Sequence, residues 1–445
     1  MMHTTTEVTL SQMLQAREDR VRQQTQLLQT FQCPIICFTM NIAGPVKVSP
    51  LIQRGFREGL AALERHLPKE AIRTYREDSS VTGCQAMYAV DMDAKELKKI
   101  CAAIEDASPL GRLFDMDVLD VSGSKLQRHT PRNCIVCGAA GRGCAAGRLH
   151  SVTQLQAVTT NILREHFFSV DAEKIASLAM QCLIDEVHIT PKPGLVDCRN
   201  NGSHADMDIR HFIVSANALK PYFKECFQIG QRTASQPSPE TFPLLRQAGI
   251  GAEKAMYLAT GGVNTHKGAI YILGLLCGSI GRLWFPEAPI AEIKAITAEC
   301  ANIVSASAVS DFATADNSTA GLRLYREYGI KGVRGEAAAG FPSALHIGLP
   351  AYKEALSKGL SQNHAGVITL LHLIAQVPDT NLYHRGGCAG ARWAAESAQT
   401  LLRATPYPSI QQVEALDDAF IRRNLSPGGC ADLLAVTFFL HRLNP

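Results

Sequence analysis

Strong net charge, long apolar runs and internal repeats of fixed period are all absent from this chain of 445 residues. Its 44 basic and 41 acidic residues leave a net charge of +3, which argues against a broad nucleic-acid-binding surface. The longest uncharged apolar stretch, residues 268–281, contains four glycines and is shorter than the ~20 residues that span a bilayer. We therefore expect no nucleic-acid partner and no membrane segment, and we interpret residues 268–281 as a buried helix.

A secretory signal is also lacking, because the N-terminus is rich in threonine and then charged. The 14 cysteines are divided equally between the two sides of residue 150. Without an export signal a disulfide framework is not expected, and a reducing cytoplasm is the expected location. Apolar residues make up 46% of the chain, which is typical of a folded protein, and its length allows two or three domains.

The apolar pattern divides the chain near residue 150. Before it, helical periodicity at 10–32, 50–66 and 94–106 alternates with short strand patterns at 34–40, 86–90 and 113–121. This alternation predicts an α/β or α+β domain, for which we expect the bounds 1–155.

The rest of the chain carries long Ala- and Leu-rich helical patterns separated by Gly/Pro loops. These patterns cover residues 153–166, 171–187, 208–228, 241–259, 268–284, 288–309, 351–375, 388–403, 410–423 and 430–442. They predict an all-α helical domain with the bounds 165–445, so the whole chain is expected to be a multidomain protein.

Two aspartates mark a candidate site in the first domain. Asp115 and Asp117 are two residues apart on a predicted strand, so both side chains project from one face. Two carboxylates on one face repel each other unless a cation lies between them, and Mg²⁺ suits such a site when phosphates complete its shell. Arg112 can reach a phosphate oxygen from three residues earlier. The pattern predicts phosphoryl or nucleotidyl transfer; the alternative is a solvated strand end.

A cluster of cysteines and one histidine follows the aspartates. Cys134, Cys137, Cys144 and His150 have the number and the types of ligands of a closed tetrahedral zinc site. The alternative is a set of buried free cysteines in a Gly-rich loop. Any zinc here is expected to be structural rather than catalytic.

The helical domain contains a carboxylate on an apolar stripe. Glu186 continues the buried face of the helix predicted at 171–187, so it needs a partner, a metal or a chemical task. The alternative is a salt bridge to a neighbouring helix. The helix ends in residues 190–194, Thr-Pro-Lys-Pro-Gly, where two prolines hold Lys192 in a rigid extended loop.

Further loops of this domain are rich in Gly together with charged and amide side chains. Asp197, His204, Asp206 and Asp208 supply enough ligands for Mg²⁺. Glycines and Lys267 lie at the start of a predicted helix, and the N-terminus of a helix favours phosphate binding. The remaining candidate ligands are Asn264, His266, Arg334, Glu336, Asp379, Asn381, Arg385, Gly428, Gly429 and Asp432. Such a mixture fits an anionic, metal-bound substrate such as a nucleoside triphosphate, although each loop alone is compatible with ordinary helix connections.

At this point the sequence resembles two known families. Residues from about 10 to 155 resemble the apo-citrate lyase phosphoribosyl-dephospho-CoA transferases, and residues from about 172 to 445 resemble the triphosphoribosyl-dephospho-CoA synthases. The first resemblance rests on residues 16–18, Arg20, Gln24, residues 41–47, residues 111–118 and the Cys/His cluster. The second rests on residues 186–187, 190–197, 262–268, 334–336 and 426–434.

The resemblance implies two successive reactions. The second domain would join ATP to 3′-dephospho-CoA with release of adenine, using Glu186, Asp206 or Glu336 for acid–base or Mg²⁺ roles. Lys192, Lys267 and Arg334 would bind the phosphates. The other candidate ligands of the helical domain would contact ATP or dephospho-CoA.

The first domain would transfer phosphoribosyl-dephospho-CoA to a serine of the citrate lyase acyl carrier (γ) subunit and release pyrophosphate. Asp115 and Asp117 would hold Mg²⁺ and Arg112 would steady the pyrophosphate, on a fold similar to nucleotidyltransferases. Two alternatives stay open: the same chemistry for the malonate decarboxylase carrier, and a non-catalytic zinc-containing adaptor that binds nucleotides and a carrier.

Overall fold

A computed structural model of the protein describes residues 6–139, 141–288, 290–313 and 325–444. Within helices, the side chains of 142, 145 and 306–313 lie outside this description. The chain divides into two units, Met1–Val170 and Asp171–Pro445. The border falls inside one long helix, so the two helices predicted at 153–166 and 171–187 are parts of a single element.

The first unit is built on a four-stranded sheet. Its strands are β1 (Ile35–Met40), β2 (Ile72–Ser80), β3 (Gly83–Val90) and β4 (Phe114–Leu119), in the order β2-β3-β1-β4. All neighbouring strands are antiparallel, so the unit is α+β. The three predicted strands are confirmed. The sequence analysis missed β2 because its side chains are mostly exposed and carry no clear apolar alternation.

Helices cover the two faces of this sheet. They are α1 (Leu10–Phe31), α2 (Pro50–His66) and α3 (Ala94–Asp106); the unit also contains the short helix α4 (Gly141–Ala146). Leu27 of α1 packs against Cys37 and Met87 on one face. On the other face the Phe38 ring stacks on Phe56 at 4.7 Å between ring centroids. Packing from both sides therefore buries most side chains of β1, whereas most side chains of β2 stay exposed.

The described part of the second unit contains helices and no β-strand, as predicted. Its elements are α5 (Val152–His188, shared with the first unit), α6 (Ile209–Arg232), α7 (Thr241–Ala259), α8 (Lys267–Leu283), α9 (Ile293–Ala313), α10 (Gly332–Ala338), α11 (Leu349–Ser357), α12 (Gln362–Gln376), α13 (Thr380–Ala404), α14 (Ile410–Arg422) and α15 (Gly428–Leu443). The pattern at 351–375 is divided into α11 and α12. Helix α13 is interrupted at Gly387, whose φ of +58° and ψ of −165° are not helical, so the predicted helix start at 388 falls at this kink.

Helix α8 is the buried helix that residues 268–281 predicted. Every residue from Ile272 to Gly281 is buried. A Cβ atom on Gly281 would lie 2.0 Å from the carbonyl oxygen of Phe227, and one on Gly230 would lie 1.9 Å from that of Gly278. The glycines therefore permit α6 and α8 to approach backbone to backbone. No helix among the described residues combines the length and the hydrophobicity that a bilayer crossing requires.

Candidate functional sites

The paired aspartates of the first unit open into a cavity of about 770 Å³. Asp115 lies opposite Thr39 and Asp117 opposite Cys37 in the β1–β4 register, so both carboxylates are on one face, as predicted. The cavity is also lined by Asn41, Lys98, Glu105, Arg112, Lys125, Arg128, Arg132, Cys134, Cys144, Arg148 and His150. Its wall therefore combines acidic groups with many cations, which suits a polyphosphate ester.

The two carboxylates have different environments. Asp117 accepts a hydrogen bond from the Lys125 ammonium, with 2.5 Å between Oδ2 and Nζ. Burial among protein atoms, and next repulsion from Asp117, raise the pKa of Asp115 above its usual value, although its side chain keeps access to the cavity. A bound cation would offset both the desolvation of the Asp115 carboxylate and its repulsion from Asp117, so Asp115 is a favourable ligand for a cation.

Arg112 lies at the cavity but already has protein partners. Its Nη1 atom is 3.3 Å from Oδ1 of Asp106, and its Nη2 atom donates to the backbone carbonyl of Asn133 at 2.6 Å. Arg112 therefore holds the segment that precedes the Cys/His cluster, and its proposed contact with phosphate stays a prediction.

A buried carboxylate that the sequence analysis missed organises this wall. Glu105 of α3 is 1% exposed and forms ion pairs with Arg132 and, at 3.5 Å, with Arg128. It also accepts the backbone N–H of Met116 at 2.7 Å, while Lys98 donates to the carbonyl of Met116 at 2.9 Å. Side chains of α3 thus satisfy the free edge of β4 and fix the strand that carries the aspartates. The sequence shows Glu105 only as one more acidic residue of a charged helix.

The four predicted metal ligands converge in space. One ligand atom from each of Cys134, Cys137, Cys144 and His150 lies within 4.8 Å of all the others. The Sγ atoms of Cys137 and Cys144 are 3.4 Å apart, and Nε2 of His150 is 3.3 Å from Sγ of Cys137. This arrangement can hold a metal ion.

The second unit buries Glu186 together with Lys192. Their exposed fractions are 4% and 1%, and 2.5 Å separates Oε1 of Glu186 from Nζ of Lys192. The same ammonium donates to the backbone carbonyl of Glu186 at 3.0 Å. The salt bridge considered as the alternative for Glu186 is therefore present, with the following loop instead of a neighbouring helix. Since an ammonium has three N–H bonds, one is left for a substrate.

The loop at 190–194 is held by residues distant in sequence. Asp197 accepts the backbone N–H of Lys192 at 2.8 Å, and Asp417 of α14 accepts that of Gly194 at 2.8 Å. A Cβ atom on Gly194, whose φ is +72°, would lie 2.1 Å from the carbonyl oxygen of Leu425. Asp417, which the sequence analysis did not single out, is fully buried and binds Arg199 at 2.7 Å. Both aspartates thus shape the loop.

His266 lies immediately before α8 and is almost fully buried. Its Nδ1 atom is 2.8 Å from the Ser215 hydroxyl, which accepts a hydrogen bond from Thr265. Nε2 is buried and has no hydrogen-bond partner within the described ranges. Burial, and next the positive charge of Lys192, lower the pKa of His266 to about 3, so the ring is neutral at physiological pH.

Asp432 and Asp379 bring two further carboxyl groups to the start of α8. Burial raises the pKa of Asp432 well above its usual value, and the charges of Glu186 and Asp379 raise it further. A Cβ atom on Gly268 would lie 1.9 Å from Oδ2 of Asp432, so this glycine admits the carboxyl group. Burial likewise raises the pKa of Asp379 and of Glu186. Three carboxyl groups and one lysine therefore share a largely desolvated neighbourhood.

A second cavity, of about 460 Å³, lies beside this group and is lined by Glu336, Asp379 and Gly429. Asp379 accepts the backbone N–H groups of Asn381 at 2.7 Å and of Cys430 at 2.8 Å. Both carboxylate oxygens of Glu336 accept hydrogen bonds from Ser343. The structure thus connects the predicted residues 379–381 and 428–432, because the Asp379 carboxylate accepts a backbone N–H from each segment.

The loop histidine of the second unit belongs to a separate group. Nε2 of His204 is 2.9 Å from the Ser426 hydroxyl, and Arg385 donates to Nδ1 of His204 at 3.2 Å. Burial, and next the charge of Arg385, lower the pKa of His204, whereas Asp206 has the opposite effect. With Nδ1 accepting from Arg385, the ring carries its proton on Nε2, so His204 donates to Ser426 and does not activate it as a base.

Other predicted ligands have local roles. Lys267 is exposed and forms an ion pair with Glu253 at 3.0 Å, and its backbone N–H donates to Asn264 at 3.3 Å. Asp208 caps α6. Arg334 lies on α10, and the side chain of Asn381 contacts Gly428, where a Cβ atom would lie 2.2 Å from Nδ2. The structure therefore does not gather Asp197, His204, Asp206 and Asp208 into one group of metal ligands.

Comparison with known proteins identifies two families along the chain. Residues 172–445 match the family described as "CitG: ATP:dephospho-CoA triphosphoribosyl transferase". Residues 8–166 match "CitX: Apo-citrate lyase phosphoribosyl-dephospho-CoA transferase". The two matches follow one another and correspond to the two resemblances drawn from the sequence.

Individual relatives match either nearly the whole chain or a part of it. "Protein CitXG" of Haemophilus influenzae is 37% identical, with 97% of this chain and 96% of the relative covered. "Protein CitXG" of Leuconostoc mesenteroides subsp. cremoris is 33% identical, with coverages of 98% and 97%. A probable 2-(5''-triphosphoribosyl)-3'-dephosphocoenzyme-A synthase of Vibrio cholerae is 44% identical over 60% of this chain and 88% of its own length. The chain belongs to the CitXG family of fused transferases, which serve the synthesis of the citrate lyase prosthetic group.

Proposed function

We propose that the protein performs both steps of prosthetic-group synthesis, each in its own unit. The second unit would convert ATP and 3′-dephospho-CoA into 2′-(5″-triphosphoribosyl)-3′-dephospho-CoA and adenine. The first unit would attach phosphoribosyl-dephospho-CoA to a serine of the citrate lyase acyl carrier (γ) subunit and release pyrophosphate. The observation that carries this proposal is that each unit holds its own group of acidic and basic side chains, around β4 in the first and at the start of α8 in the second.

In the first step the 2′-hydroxyl oxygen of dephospho-CoA attacks C1′ of the ATP ribose, and the bond from C1′ to the adenine nitrogen breaks. The hydroxyl proton leaves to a base, and adenine takes up a proton as it departs. Asp432 suits the second task because burial, and next the charges of Glu186 and Asp379, raise its pKa and so favour the protonated carboxyl group. Glu186, Asp206 and Glu336 stay the candidates for the base.

The buried donors of the second unit would bind the substrate. Lys192 has one N–H bond left after its two contacts with Glu186, and Nε2 of His266 has no partner among the described residues. Both groups are desolvated, so hydrogen bonds to phosphate or to the purine would be strong there. Asn264, Lys267 at the start of α8 and Arg334 of α10 are proposed to contact the triphosphate.

In the second step the serine oxygen of the carrier attacks the α-phosphorus, the bond to the β-phosphate breaks, and pyrophosphate leaves with the bonding electrons while the serine proton passes to a base or to solvent. Lys125, Arg128 and Arg132 line the cavity and would stabilise the negative charge that develops on the leaving group. The paired carboxylates of Asp115 and Asp117 fit Mg²⁺, which prefers oxygen ligands and, when bound, would neutralise phosphate charge.

Two assays test the proposal together. Free adenine is measured after incubation with ATP, dephospho-CoA and Mg²⁺, and the citrate lyase carrier subunit is then analysed by mass spectrometry. The account predicts adenine release without carrier, and a mass increase on the citrate lyase carrier but not on the malonate decarboxylase carrier. A folded protein that binds ATP but releases no adenine would be the non-catalytic adaptor instead.

A further inference from the structure

The segment between β4 and α5 has almost no hydrophobic core of its own. Between Leu119 and Leu163, which are both buried, Cys144 is the one buried hydrophobic side chain among the described residues. The regular structure before α5 is limited to α4, a helix of six residues. Burial of apolar surface therefore cannot fix this segment, and small regions in that situation are usually held by a metal or by disulfides.

The geometry of the Cys/His cluster favours a metal over a disulfide. A disulfide joins two sulfurs at about 2.05 Å, whereas Sγ of Cys137 and Sγ of Cys144 are 3.4 Å apart. Four donor atoms converge, three sulfurs and one imidazole nitrogen. A tetrahedral zinc ion with Zn–S of about 2.3 Å and Zn–N of about 2.0 Å places neighbouring donors roughly 3.5–3.8 Å apart. The separations in the structure are close to that spacing.

The backbone around Cys134 is shaped to present its sulfur. The backbone N–H of Val136 donates to Sγ of Cys134 at 3.4 Å, and that of Gly138 donates to the Cys134 carbonyl at 3.0 Å. Gly138 has a φ of +73°, which lets the chain turn back after Cys137. Backbone N–H groups directed at a thiolate stabilise its charge and orient it, as neighbouring donors do around metal ligands.

We propose that Cys134, Cys137, Cys144 and His150 bind one Zn²⁺ and that this ion fixes the wall of the first-unit cavity. Two residues next to the cluster connect it to that wall. Arg132 donates to the Phe114 carbonyl at 2.7 Å and pairs with Glu105, and the Asn133 carbonyl accepts from Arg112 at 2.6 Å. Cys134, Cys144 and His150 themselves line the cavity.

The consequence of zinc loss is confined to the first unit. Without the ion, residues 120–151 lose their anchor, and the contacts of Arg112 and Arg132 with the cavity wall are lost. Carrier modification is then impaired, whereas adenine release continues in the second unit. Zinc binding itself does not depend on the function proposed above; the selective loss of carrier modification does.

Metal content of the full-length protein tests the site. Protein purified without chelator is expected to contain about one zinc per chain by elemental analysis, as a closed four-ligand site requires. His150→Ala and the double variant Cys137→Ser/Cys144→Ser are expected to lose it, whereas His150→Cys, which restores four ligands, keeps it. Cys388→Ser removes an exposed cysteine of the second unit and is the matched control for thiol number. The proposed zinc site would be contradicted if the protein contained iron in place of zinc, or if the double variant retained zinc.

Activity of the same preparations tests the role of the ion. The variants without zinc are expected to modify the carrier at least roughly tenfold more slowly, the scale on which metal-site support affects activity, with adenine release unchanged. Both tryptophans lie in the second unit, so their fluorescence checks that this unit stays folded. Zinc loss with normal carrier modification overturns the role of the ion in the cavity. If the wild-type protein contains zinc but does not modify the carrier, the proposed function is contradicted, whereas the proposed metal site is supported.

Discussion

The buried pair of Glu186 and Lys192 gives the sharpest prediction for the second unit. Both side chains are at most 4% exposed and are joined by a 2.5 Å contact. Lys192→Met leaves a buried carboxylate without its cation, and Glu186→Gln leaves a buried ammonium without its anion. Breaking a buried pair on one side costs about 3–5 kcal/mol, whereas removing both charges costs far less than the sum. We expect a coupling free energy of at least about 2 kcal/mol from the double-mutant cycle.

The effect of Lys192→Met should also depend on pH. Burial already raises the pKa of Glu186, and Lys192 opposes this shift. Without Lys192 the pKa of Glu186 rises further, so the folded variant takes up a proton at a higher pH than the unfolded chain. Compared with the wild type, the variant therefore loses most stability at pH values above the folded-state pKa of Glu186. The loss becomes smaller as the pH falls through that pKa, because Glu186 is then protonated and neutral.

The assay is urea unfolding followed by tryptophan fluorescence. Trp284 and Trp393 are the two tryptophans of the chain, and both belong to the second unit. The signal therefore reports on the unit that contains the pair, independently of the first unit. If each single variant costs less than about 1 kcal/mol and the two costs add within about 0.5 kcal/mol, the pair is not buried as described and the reasoning is refuted.

Three further predictions concern other buried titratable groups. Glu105→Gln should destabilise the first unit by about 1–3 kcal/mol, because Arg132 loses its carboxylate partner while Arg128 keeps Asp106, and hydrogen exchange of β4 will measure the loss. The pKa of His266, about 3 in the folded state and about 6.5 when unfolded, predicts that about 2 kcal/mol of stability is lost between pH 7 and pH 5 in tryptophan-monitored unfolding. His266→Asn removes this titratable group, so the free energy of unfolding of the variant should change less between pH 7 and pH 5. Asp417→Asn should slow adenine release at least roughly tenfold, whereas Asp418→Asn, at a half-exposed surface pair, should change it little.

Periodicity in the sequence predicted most of the regular elements of the fold. The apolar pattern of residues 268–281 identified α8, and alternation near residue 115 placed Asp115 and Asp117 on one face. Strand β2 escaped detection because its stability comes from pairing with β3, and its exposed side chains carry no pattern. Local sequence also could not show that α5 continues without a break to His188.

The candidate sites were predictable where the signal was local. Four ligands within 17 residues were enough to find the Cys/His cluster, and an acidic residue on an apolar stripe was enough to find Glu186. Asp417 was not predictable, because it binds Gly194 from 223 residues away. Glu105 was hidden in the same way, since its partners lie in a later loop. Contacts between distant segments produce no periodic pattern in the sequence of either segment, so they cannot be predicted from periodicity.

The central claim is that two independent sites act in succession, and mixing two inactivated variants tests it most directly. Asp115→Asn is expected to release adenine but not to modify the carrier, while Asp432→Asn is expected to release none; Asp78→Asn, on the exposed strand β2, is the control. Neither inactivated variant alone should modify the carrier subunit in the presence of ATP and dephospho-CoA. Their mixture should produce the full mass increase on the carrier, because the intermediate made by one variant is used by the other. A mixture that leaves the carrier unmodified, while Asp115→Asn releases adenine normally, would contradict the account.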